Sequence, residues 1–149
     1  MASRPSAPLS PGLVLFALAM GGFAIGTTEF ASMSLLPYFA RDLHIDEPTA
    51  GHTISAYALG VVLGAPVLAV MAARLPRKTV LLALMVMFAM GNALTALSPS
   101  YTWMMIFRFF SGVPHGAYFG VAALVAVSLV PPQKRAQSVA RMMLGLSVA

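Results

Sequence analysis

Two formal charges stand inside long apolar stretches of this 149-residue chain, and together they are an acid and a base. Glu29 lies in the run 12–39. Arg108 lies in the run 101–130, where His115 is the one other ionisable side chain apart from tyrosine hydroxyls. A carboxyl can take up and release a proton, a guanidinium stays charged and can hold an anion, and an imidazole can change charge near neutral pH. His115 follows Arg108 by seven residues, two helical turns, so both fall on about one helix face with Ser111 and Gly112.

Each group has a plainer alternative. Arg108 could extend along its stem to the membrane surface. Glu29 could stay neutral, held by a hydrogen bond, although a protonated acid is itself a proton carrier. His115 could be a neutral ring bonded to a backbone carbonyl freed by Pro114.

The composition says what surrounds these groups. Hydrophobic residues make up 59% of the chain and charged residues 9%, against about 25% in soluble domains. Mean hydropathy is +0.86. This excludes a soluble domain and predicts an all-α integral membrane protein, with the lipid bilayer as its solvent. With no cysteines, disulfides and thiolate metal sites are excluded. No His, Asp or Glu cluster has ligand spacing, so no metal or organic cofactor is expected. The net charge of +5 sits between apolar runs and not in a stripe interleaved with aromatics, which argues for topology and against nucleic acid.

The apolar runs predict four complete membrane helices, at about 12–39, 53–73, 79–97 and 101–130, and the start of a fifth at 136–149. Residues 1–10 read as a flexible tail; the run after Pro11 is too long for a signal peptide, and no cleavage site ends it. Pro48-Thr49 can open the second helix, and Leu75-Pro76, Ser98-Pro99-Ser100 and Pro131-Pro132 punctuate the rest. Of the nine Lys and Arg residues, seven (Arg4, Arg74, Arg77, Lys78, Lys134, Arg135, Arg141) fall on one side, Arg41 falls on the other, and Arg108 is the ninth. The positive-inside rule then predicts a cytoplasmic tail and N-terminus.

Depth can be read from the same counting. Tyr38 lies nine residues past Glu29, which puts the acid roughly 13 Å below the outer surface. Arg108 comes seven residues after Tyr101, roughly 10 Å deep on a helix running the other way. Each charge alone costs about 2.5 to 3.5 kcal/mol near the bilayer centre, so mutual attraction or a shared wet cavity is expected.

Small residues supply a packing signal without chemistry. Gly112, Gly116 and Gly120 recur every four residues in the fourth run, as Ala56, Gly60 and Gly64 do in the second; this spacing lets helix backbones approach closely. Asn92 reads as an interhelical hydrogen bond. The first and fourth runs each hold one charge and several helix-weakening residues: Gly21, Gly22 and Gly26 in one, Gly112, Pro114 and Gly116 in the other. Broken, polar helices in matching positions of inverted three-helix units point to a transporter's central site.

These stretches resemble the N-terminal part of the major facilitator superfamily, specifically its drug:proton antiporters and arabinose-inducible sugar-efflux proteins. The resemblance rests on Gly26-Thr-Thr-Glu-Phe30, Ala50-Gly-His-Thr-Ile-Ser-Ala-Tyr-Ala-Leu-Gly60, Gly64-Ala-Pro66 and Arg108-Phe-Phe-Ser-Gly-Val-Pro-His-Gly-Ala117. It implies a twelve-helix fold of which residues 11–149 form an incomplete N-terminal six-helix bundle. It also implies that Arg108 and Glu29 couple protons, and Ser111 stands where the family often has a glutamine; His115, Thr28 and Ser111 are the candidate relay or cavity residues. Arg74, Arg77 and Lys78 match the basic positions of the family's gating loop, although Ala73 replaces its aspartate. The chain stops in its fifth helix, before the motif that separates antiporters from symporters, so the C-terminal half is expected elsewhere as the cavity's second wall.

The function expected is a proton-driven efflux transporter of drugs, sugars or other small molecules in the inner membrane. Proton-coupled uptake is the nearest alternative, followed by a non-transporting scaffold or receptor. A membrane enzyme is disfavoured because no nucleophile, base or metal constellation is visible.

Overall fold

The computed structural model describes residues 10–149, so Arg4 and nearly all of the expected tail lie outside the described residues. The chain folds into helices: α1 (Pro11–Ser34), α2 (Leu36–Asp42), α3 (Glu47–Ala72), α4 (Arg77–Ala96), α5 (Tyr101–Ser128) and α6 (Arg135–Val148), with a 3-10 turn at Pro132–Lys134. No strand occurs among the described residues. Four helices, α1, α3, α4 and α5, are long and apolar enough to cross a membrane.

Local chemistry sets the ends. Ser10 caps α1 by accepting from the Leu13 N–H, with Pro11 at the first helical position. The Asp46 carboxylate accepts from the Thr49 N–H at 3.1 Å and opens α3, which therefore begins ahead of its apolar run. The first apolar run is not one helix. It breaks at Leu35, because Pro37 has no N–H to offer the Met33 carbonyl, and α2 starts there as a separate short helix. After α2 the chain turns through His44, whose φ of 55° lies in the left-handed region.

The helix breaks expected within the first and fourth runs are absent. Both α1 and α5 run through their glycines, and α5 through Pro114. Neighbouring helices hold these stretches in place, and the glycines serve close approach instead. Gly22 faces Phe119 and Gly26 faces Leu146, so α5 and α6 pack against α1. Helix α5 is the hub: Met104, Arg108, Ser111, Ala117, Tyr118, Val121, Ala122 and Ala126 are all buried.

Packing of α3 on α5 follows the small residues. A methyl group on Gly60 would strike the Phe109 carbonyl, one on Gly64 the Val113 carbonyl, and one on Gly112 the Tyr57 carbonyl. Gly116 lies against Ala65 and Val61. Gly120 departs from the expected pattern. Nothing lies within 4 Å of a methyl placed there, since α3 and α5 have parted at that level. Gly120 instead lines a groove of about 530 Å³ with Ala65, Ala69, Arg77 and Leu124. Asn92 is also corrected: its amide donates to the Phe88 carbonyl at 2.8 Å inside α4, so it satisfies itself one turn back rather than bridging helices.

Candidate functional site

The two predicted charges lie on facing helices but are offset by about one helical turn. Arg108 Nη1 donates to Ser32 Oγ at 3.2 Å, and Ser32 stands one turn past Glu29 on α1. Helix α1 crosses α5 antiparallel, since Ser32 meets Arg108 while Leu18, near the start of α1, accepts from the Tyr118 hydroxyl at 2.8 Å.

Arg108 does not reach for the membrane surface. It is 2% exposed and turned inward. Its guanidinium carbon sits 4.4 Å from the centre of the Tyr57 ring, on α3. A desolvated cation over an aromatic face is stabilised by about 2 kcal/mol, which offsets part of the cost of burial. Its Nε is buried with no hydrogen-bond partner.

Glu29 is not in direct contact with Arg108. Its Oε2 lies 4.0 Å from His115 Nδ1, with the acid 34% exposed and the imidazole 14% exposed. That is an electrostatic contact, too long for a hydrogen bond. The same ring nitrogen lies 2.7 Å from the Tyr57 hydroxyl. His115 is therefore bonded to a side chain of α3 and not to a carbonyl freed by Pro114. A continuous chain results: Glu29 on α1, His115 on α5, Tyr57 on α3, and back to Arg108 on α5.

The remaining predicted residues divide. Thr28 is on α1 beside Glu29, and its hydroxyl donates to the Ala24 carbonyl at 2.8 Å. The Ser32 hydroxyl donates to the Thr28 carbonyl at 2.7 Å, which aims its oxygen at Arg108. Ser111 lies apart from the cluster. It is fully buried against Gly91 of α4, and its hydroxyl donates to the Arg108 carbonyl at 2.9 Å. Arg74, Arg77 and Lys78 sit at the α3–α4 connection, where Arg77 Nη1 donates to the Leu124 carbonyl at 3.1 Å and ties α4 to α5. Among the described residues, no group of three or more His, Asp or Glu could hold a metal.

Sequence reasoning missed Tyr57 and Ser32. A signal for Tyr57 existed: it precedes Gly60 by three residues and Gly64 by seven, on the stripe of α3 that faces α5.

Apolar helices of membrane length around a buried arginine and a partly exposed acid define a polytopic membrane protein with an ionisable site at its centre. Residues 18–149 match the sequence profile of the Major Facilitator Superfamily, and the chain belongs to that family. It is 46% identical over 135 residues to the inner membrane transport protein YdhP of Escherichia coli (strain K12), covering 91% of this chain and 35% of the relative. It is 34% identical over 137 residues to a chloramphenicol resistance protein of Streptomyces lividans, covering 92% and 35%. A protein named "Probable sugar efflux transporter" from Helicobacter pylori (strain P12) is 30% identical over 135 residues, covering 91% and 34%. The chain thus spans about a third of the length of these relatives.

Proposed function

We propose that the whole protein is a secondary active transporter of the inner membrane, not an enzyme, and that it exports a small molecule in exchange for protons. The observation that carries this reading is the side-chain path from Glu29, 34% exposed, to Arg108, 2% exposed, through residues of three helices. An acid open to water and an arginine shut away from it differ in how each answers a proton.

Glu29 takes the proton from the outer side. Neutralising it removes the attraction that its carboxylate exerts on His115 and, at longer range, on Arg108. That shifts the balance between outward- and inward-facing arrangements, because the two arrangements bind the proton unequally. The substrate sits against α1 and α5, with the C-terminal half as the opposite wall. The asymmetry of Lys and Arg supports a cytoplasmic N-terminus. The names of the relatives support efflux, and they make chloramphenicol-like drugs and sugars the first substrates to try.

The test uses full-length protein in proteoliposomes with an imposed pH gradient, and radiolabelled chloramphenicol and a panel of simple sugars as probes. The expected result is movement of one probe opposite to the proton. In the Glu29→Gln variant this movement falls to background while membrane insertion is intact. Undiminished proton-driven flux in that variant refutes the role of Glu29, and flux in the same direction as the proton means uptake by symport.

A further inference from the structure

We infer that Tyr57 is a positioning residue through which protonation of His115 is felt at Arg108; the inference rests on the proton-coupled reading above and extends it to a residue that reading does not use. Tyr57 is 3% exposed and makes two contacts of different kinds. Its hydroxyl lies 2.7 Å from His115 Nδ1, and its ring face carries the Arg108 guanidinium at 4.4 Å. The rings of Tyr57 and His115 meet edge to face, with centroids 5.7 Å apart. Gly112, lying against the Tyr57 carbonyl, fixes the tyrosine backbone at this level of α5.

Arg108 is lightly tethered. Its side chain has the Ser32 hydroxyl and the Tyr57 ring face, while Nε is buried without a partner. A change in how strongly the ring holds the guanidinium therefore matters.

The hydroxyl provides that change. When His115 is neutral with a lone pair on Nδ1, the Tyr57 hydroxyl donates to it. A donating phenol is electron-rich, and its ring face attracts a cation more strongly. A proton on Nδ1 turns that nitrogen into a donor. The Tyr57 oxygen must then accept, its own hydrogen swings away, and the ring face becomes electron-poorer. That change loosens Arg108.

Glu29 is placed to deliver the proton. It moves from Oε2 to Nδ1, leaving a carboxylate and an imidazolium, so charge is conserved. The 4.0 Å gap closes with a shift of about 1 Å or through one bridging water. The charged and titratable groups facing His115 are Glu29 from α1 and Tyr57 from α3, and Arg108 lies two turns earlier on its own helix, against the Tyr57 ring. Helices α4 and α6 carry their charged side chains, Arg77, Lys78, Arg135 and Arg141, only in their first two turns.

The experiment needs no substrate. Full-length protein in lipid nanodiscs, labelled with ¹⁵N at histidine and arginine, is followed by NMR as pH is lowered. In wild type, the Arg108 side-chain resonances should shift in step with the His115 ring nitrogens. In Tyr57→Phe, which keeps the ring under Arg108 and removes the hydroxyl, His115 should still titrate and the Arg108 step should be lost. An identical Arg108 step in Tyr57→Phe overturns the proposal, and so does a wild-type Arg108 that ignores His115. Tyr57→Leu, which removes the ring as well, should place Arg108 at a new position at every pH. An unmoved Arg108 in that variant also counts against the idea. Because Glu29→Gln transport is scored separately, failure of the coupled-transport reading and failure of this link are distinguishable.

Discussion

Gly112 on α5 packs directly on the backbone carbonyl of Tyr57 on α3, with no room for even a methyl group between them. One small residue thus fixes both the spacing of two membrane helices and the height at which Tyr57 meets Arg108 and His115. Gly112→Ala should cost about 1–3 kcal/mol, because a carbonyl of a packed helix is rigid and cannot step aside as a flexible side chain would. Gly120→Ala is the matched control. It meets nothing within 4 Å, so it should be neutral or should stabilise α5 by up to about 1 kcal/mol. Thermal unfolding in detergent compares the two; equal losses would mean that the glycine spacing, and not the contact, sets stability.

Arg108 is held as a flat plate on Tyr57 as well as by charge. Arg108→Lys keeps the charge and loses the plate, since an ammonium is a compact, strongly hydrated point that cannot cover the ring while also donating to Ser32. The expected loss is about 1–3 kcal/mol, read as a lower unfolding temperature. A lysine variant as stable as wild type would show that charge alone holds α5 to α1 and α3 here.

How much of this could be read from the chain depends on the residue. Glu29 and Arg108 were legible because a formal charge in an apolar run is costly and demands a reason. Counting helix rise from Tyr38 and Tyr101 put the two charges within a turn or so of each other, and the contacts Arg108–Ser32 and Glu29–His115 leave them offset by about that much. Their linkage through Tyr57 and Ser32 was not legible. Both residue types are ordinary in membrane helices, and the pairs 57–115 and 32–108 depend on how each helix is rotated about its axis, which spacing within one helix leaves open. Gly120 misled for a related reason: the repeat continues along α5 after α3 has diverged. The break at Leu35 had its signal in Pro37, hidden by an unbroken hydropathy that carries across it.

The last prediction concerns the N-terminal end of α3, away from the buried cluster. The Thr49 side chain and backbone N–H bond to the Asp46 carboxylate and hold its pKa below the ordinary value of 3.8. A carboxyl depressed in the folded state adds stability above its unfolded value, and that stability is lost as pH falls through the folded value. Acidification below about pH 4 should therefore loosen the first turn of α3, and neutral pH should not. Asp46→Asn keeps an oxygen that accepts from the Thr49 N–H but removes the charge, so its cap should persist and its pH response should vanish. Asp46→Ala removes the acceptor and should fray the turn at every pH. The Thr49 amide resonance followed by NMR separates the three: a titrating shift in wild type, a constant one in Asp46→Asn, and an unbonded value throughout in Asp46→Ala. A pH-dependent Thr49 shift that survives in Asp46→Asn would show that Asp46 is not the group that responds.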